Sequence, residues 1–172
     1  EWVVPVPGPQ YSLTAKPGFL RITIPQRPQG YNHWTGIAEA PMLRTPAPAG
    51  DWVFEGRIRL VQFGKDSNFH LSLVVGLSPR FVLAVGPFAG PGLYPMPEPL
   101  VYVEPTGIGK YRVVRGNARD VYLRIEKRDE EYSFFVRRPA SEKWILAGKY
   151  RAMFPPEFVG VMGKTFFGGA PV

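Results

Sequence analysis

The sequence predicts an all-β chain, a sandwich or barrel of short strands, on three observations. About ten runs of apolar and β-branched residues recur at the spacing such folds use. The 19 glycines and 20 prolines are spread between those runs, which suits many short strands and turns better than long helices. The clearest runs alternate with period two, so one face of each is apolar. A chain of 172 residues suits a single domain, 1–172, and 45% hydrophobic with 14% aromatic residues is too rich for disorder.

The elements follow in order. Residues 1–10 form a proline-rich leader or linker end, and Tyr11 to Leu13 can pair at a sheet edge. Phe19 to Ile24 is a short strand closed by Pro25. Residues 26–50 read as loops with a few strand-like residues, because Pro41, Pro46 and Pro48 prevent any long regular element. Trp52 to Val61 is the clearest strand, with Trp52, Phe54, Ile58 and Leu60 on one face and Glu55, Arg57 and Arg59 on the other. Phe69 to Leu77 follows, with Phe69, Leu71, Leu73, Val75 and Leu77 inward and His70 and Ser72 outward. Ser78-Pro79 turns the chain into Phe81 to Val85. Residues 86–99 read as a long Gly/Pro-rich loop carrying Phe88 and Tyr94.

Leu100 to Glu104 and Tyr111 to Arg115 are further strands. Val121 to Lys127 and Glu131 to Arg137 flank Arg128 to Glu130 as a hairpin. Ala140 to Lys143 hints at a helical turn, and Trp144 to Leu146 and Phe158 to Met162 close the pattern. Trp52, Trp144, Phe54, Phe69 and Phe134 are expected in the core.

Composition excludes several chemistries. There is no cysteine, hence no disulfide, thiolate metal site or cysteine nucleophile. No apolar run reaches the roughly 18 residues a membrane span needs, and residues 1–5 lack the basic and apolar regions of a signal peptide. A net charge of +7 and a pI near 9.8 favour anionic partners. The basic residues are scattered, without a tail or a nucleic-acid motif, so neither nucleic acid nor membrane is the expected partner. Proline-rich loops and the charge-dense stretch Arg124 to Glu131 suit a heat-stable protein.

No complete catalytic set is legible. Glycoside hydrolysis needs two carboxylates across the scissile bond, and no Glu-x-Asp-x-x-Glu run supplies them. Asp129-Glu130-Glu131 reads as a solvated turn, and Glu55 and Glu126, beside arginines, as structural ion pairs. His33 and His70 are too few for a histidine metal site, and no nucleophile-elbow sequence accompanies them. Gly86 to Gly92 lacks the residues of a phosphate cradle.

Three ordered stretches resemble the concanavalin A-like modules of glycoside hydrolases, notably the C-terminal domains of family 43 enzymes: Tyr11 to Ile22, Val121 to Trp144 and Pro156 to Gly163. The segment from Arg138 to Lys143 departs from the Ser-x-Asp-Gly turn common there. The resemblance implies a two-sheet antiparallel jelly-roll β-sandwich. It also implies a non-catalytic carbohydrate-binding or accessory module of a polysaccharide-degrading protein, in an extracellular or cell-surface setting with the cytoplasm left open.

Two alternatives stay beside it: a structural domain packed against an adjacent catalytic domain, and a glycan hydrolase or lyase with unrecognised residues. No cofactor is expected beyond a structural calcium ion, for which no dense acidic loop marks a place. Ring faces that stack on sugars and polar groups that bind hydroxyls nominate Trp34, Tyr94 and Tyr102, with Arg57, Arg59, His70, Arg124 and Glu126 on outward strand positions. Were the outward residues to share one concave sheet, they would form a basic groove for acidic polysaccharide or oligosaccharide.

Overall fold

The computed structural model describes residues 1–34, 36–63, 68–90, 98–106 and 112–166. Among them the chain is all-β, without a helix. The strands are β1 (Trp2–Val3), β2 (Gln10–Ser12), β3 (Arg21–Thr23), β4 (Gly30–Tyr31), β5 (His33–Trp34), β6 (Ile37–Ala38), β7 (Met42–Pro46) and β8 (Trp52–Arg59). They continue with β9 (Phe69–Ser78), β10 (Phe81–Ala89), β11 (Leu100–Pro105), β12 (Arg112–Val114), β13 (Asp120–Arg128), β14 (Glu131–Arg137), β15 (Ile145–Arg151) and β16 (Phe158–Phe166).

An eight-stranded sheet runs β1-β7-β16-β9-β10-β11-β12, with β4 also paired to β16, and a four-stranded sheet runs β15-β14-β13-β8. Small hairpins β2–β3 and β5–β6 lie outside them. Every pairing is antiparallel.

Period two places the core. β13 turns Val121, Leu123 and Ile125 inward and β14 turns Tyr132, Phe134 and Val136 inward. They meet Leu73, Val75, Leu83, Val85, Val101 and Val103 of the larger sheet. The two sheets thus pack face to face over one core, a sandwich-like arrangement. Each fully buried large side chain there contributes roughly 1.5–3 kcal/mol.

The far face of the larger sheet is buried as well. Met42, Val74, Val82, Ala84, Phe158 and Met162 pack there with Ala40. The N-terminal segment covers this face: β4 pairs with β16, and Ile24 lies against Gly163. Strands buried on both faces read as near-continuous apolar runs, which is why Phe81–Ala89 shows little alternation. β10 extends through Ala89, so Phe88 sits in a strand and not in a loop. On this face Gly76 lies directly beneath the Phe158 ring, and a Cβ there would run into it. Gly76→Ala should therefore destabilise by about 1–3 kcal/mol, read as a lowered urea midpoint at unchanged m-value.

Two expectations are corrected. Residues 140–143 form no helical turn: Ser141 N–H donates to the Arg138 carbonyl at 3.0 Å and Lys143 N–H to Ser141 Oγ at 3.1 Å. Trp144 is not in the core. Its ring lies half-buried on the outer face of the four-stranded sheet, 4.3 Å from the Arg124 guanidinium, where cationic partners hold it without full burial.

Candidate functional site

The far face of the larger sheet carries a buried polar cluster. β9 presents His70 and Ser72, β11 presents Tyr102 and Glu104, and β16 presents Lys164, all on the side away from the core. Register sets Lys164 opposite His70, His70 opposite Phe88, and Glu104 opposite Ala84. Between these strands β10 offers only Ala84 and Gly86 beside Phe88, so long side chains can meet above it. Gly86 is required there, since a Cβ would strike the Leu71 carbonyl oxygen.

Lys164 Nζ donates to Glu104 Oε1 at 2.7 Å and to Oε2 at 2.8 Å. His70 Nδ1 lies 3.4 Å from Glu104 Oε2. Rings wall the cluster: Phe88 stacks on Tyr102 at 4.6 Å and on Phe166 at 5.6 Å, and His70 meets Tyr102 edge-on at 5.5 Å.

The β5–β6 hairpin closes over it. The His33 carbonyl accepts from Lys164 Nζ at 3.4 Å, and the Trp34 ring centroid lies 5.4 Å from that ammonium. The hairpin is tethered by Glu39 N–H to the Asn32 carbonyl at 2.8 Å, and by an Arg27–Glu39 ion pair of 2.8 Å. Trp34 remains 37% exposed while His33 and His70 are sealed.

Burial governs the protonation states. Burial lowers His33 from 6.5 to about 4, and the Lys164 charge acts in the same direction. Burial also lowers His70, against the pull of Glu104. Burial would raise Glu104, but contact with His70 and with the Lys164 ammonium outweighs it and holds the carboxyl below its usual range. Burial depresses Lys164 against its attraction to Glu104. Both imidazoles are thus neutral at pH 7, beside one ion pair that neutralises itself. Ser72 Oγ is buried without a hydrogen-bond partner among the described residues, while His33 is drawn to the Arg80 backbone and His70 to Glu104 and the Tyr102 backbone. Neutral imidazoles and hydroxyls both donate and accept, which matches alcohols better than charged groups. Among the described residues no group of three or more His, Cys, Asp or Glu gathers as a metal site.

The structure divides the residues nominated from sequence. Trp34, His70 and Tyr102 meet in this cluster, though His70 and Tyr102 are buried strand residues and not part of an open groove. Arg57, Arg59, Arg124 and Glu126 lie on the outer face of the four-stranded sheet, across the core from His70, so the two sets share no groove. Arg124 bonds Glu55 at 2.6 Å and Glu126 at 3.2 Å, the ion pairs expected of those acids. Tyr94 lies outside the described residues. Glu104, Lys164 and His33 do not stand out from the sequence as a set. A single charge inside an otherwise apolar run, as in Leu100–Pro105 and Phe158–Phe166, is the sign that marks the first two.

No family model matches the chain, and no curated protein does. Among solved structures, a functionally unknown protein from Saccharomyces cerevisiae superposes with a TM-score of 0.66 at 14% identity, over 99% of this chain and 88% of that one. A mutant of the GH43 protein BlXynB from Bacillus licheniformis superposes with a TM-score of 0.58 at 11% identity, over 94% of this chain. This chain spans 34% of that protein's length. At such identities the likeness is one of fold.

Proposed function

We propose that the chain is a carbohydrate-binding accessory module of the concanavalin A-like, jelly-roll kind, acting beside a polysaccharide-degrading enzyme outside the cell or on its surface. It takes glycan on the far face of the larger sheet. The observation that carries this reading is the pairing of a half-open Trp34 ring with a cluster of buried neutral polar groups, His33, His70 and Ser72, around the Lys164–Glu104 pair. A ring face accepts pyranose C–H groups and the polar atoms take hydroxyls. The GH43 likeness over about a third of a longer chain supports an accessory role. The polar atoms are covered, so sugar entry requires the β5–β6 hairpin to lift. With two residues per strand, this hairpin is among the least stable elements.

The test is affinity electrophoresis in gels containing neutral polysaccharides. The chain should be retarded by at least one, and Trp34→Ala should abolish the retardation. Retardation undiminished by the substitution would place binding elsewhere. No retardation on any glycan would favour a structural domain packed on a catalytic neighbour, a role for which the exposed Met153 and Phe154 (81% and 74%) are suited.

A further inference from the structure

Trp144 completes a ladder of alternating guanidinium groups and rings across the outer face of the four-stranded sheet. Register sets Tyr122 opposite Arg57 on one side and Arg137 on the other. Arg57 lies 5.0 Å and Arg137 4.1 Å from the Tyr122 centroid. Arg137 and Arg124 lie 5.3 Å and 4.3 Å from Trp144. The outer rungs are neutralised: Asp120 accepts two bonds of 2.7 Å from Arg57 and one of 3.0 Å from Arg59, and Arg124 is held by Glu55 and Glu126.

The central rung differs. Arg137 donates one bond, from Nη1 to the Ser141 carbonyl at 3.0 Å, and among the described residues no carboxylate forms an ion pair with it. Arg138 and Lys143, in the adjoining turn, are also without an ion pair among those residues, and Glu142 is that turn's one acid. This end of the face carries uncompensated positive charge around a guanidinium already held between rings.

We infer that this face binds a carboxylate-bearing polysaccharide, with Arg137 as the central contact. Each ring of the ladder already carries two guanidinium groups, which compete with a nucleobase for the ring surface. What remains available is the N–H edge of Arg137, whose fork matches a carboxylate through two parallel bonds. Stacking fixes that fork beforehand, so little side-chain freedom is lost on binding. The surface lies across the core from Trp34 and does not depend on the reading of that site.

Polygalacturonate in a native gel should retard the full chain, with less retardation as salt rises. Arg137→Gln should weaken the apparent affinity about tenfold, the loss expected for one charge-assisted bidentate contact. Arg137→Lys should lose most of it too, because an ammonium cannot form the fork. Arg44→Gln, a charge loss on the other sheet where the arginine pairs with Glu1, should leave it nearly unchanged. Unaltered near-ultraviolet circular dichroism would show that each variant keeps its fold. Absence of retardation, equal retardation of the Arg137→Gln variant, or tighter binding of single-stranded DNA than of polygalacturonate would each overturn the assignment.

Discussion

Lys164→Met should destabilise the protein by about 3–5 kcal/mol, the cost of leaving a buried charge without its partner. Lys164 and Glu104 are both nearly inaccessible, and the two bonds between them are the lysine's main compensation for leaving water. Removing the lysine strands the Glu104 carboxylate among Phe88, Tyr102 and His70. The carboxyl then relieves its desolvation by taking a proton, so the variant's deficit relative to the parent should shrink as pH falls toward 5. Lys164→Met combined with Glu104→Gln should be far less damaged than Lys164→Met alone, because no charge is left to desolvate. Urea unfolding of the two single variants, the double variant and the parent gives the coupling directly. Additive losses would mean that the pair is not the unit described above. The comparison also bears on function: a double variant that folds but loses glycan retardation would separate the cluster's binding role from its packing role.

How far this cluster is legible in the sequence depends on what hides it. The alternation of Val121, Leu123 and Ile125 against Tyr122, Arg124 and Glu126 is sharp, because only one face of β13 meets a core. The same alternation puts His70 and Ser72 on the opposite face from Leu73 and Val75, which is where they lie. The error is to equate that face with solvent. The cover comes from residues 24–34 and 36–41, a stretch whose prolines and two-residue strands look like plain loop. Pairing of β4 with β16 spans more than 130 residues, and period counting has no access to such a contact. Trp144 is hard to place for a related reason. Its partners Arg124 and Arg137 sit on neighbouring strands, and a large ring satisfied by cations on an outer face has the same local sequence context as one in a core.

Acid should weaken the fold between pH 6.5 and 4, well before most carboxylates titrate. His33 is held neutral by burial and by the Lys164 charge, with its pKa lowered from 6.5 to about 4, and His70 is lowered as well. The sign follows from linkage. In the unfolded chain each imidazole takes up a proton below about 6.5, while in the folded chain it does not, so the unfolded state binds more protons and stability falls as pH falls. The stabilisation is fully present above 6.5 and is lost as pH drops toward the folded value. At about 1.4 kcal/mol for each pH unit crossed, His33 alone accounts for about 3 kcal/mol over that window. Glu104, held below its usual range, adds a further loss at lower pH, as its folded-state value is crossed. Charging His33 sets a second cation beside Lys164 under the β5–β6 hairpin, so the hairpin should yield first. Urea midpoints from pH 8 to 4 should fall steeply for the parent, and clearly less for His33→Leu, which keeps the bulk and removes the titration. Backbone hydrogen exchange in β5 and β6 should accelerate in acid before exchange in β13 and β14 does. A parent midpoint that stays flat to pH 5, or a His33→Leu profile as steep as the parent's, would mean that His33 finds a proton-stabilising partner in the folded chain and that the hairpin is not held down by neutral imidazole.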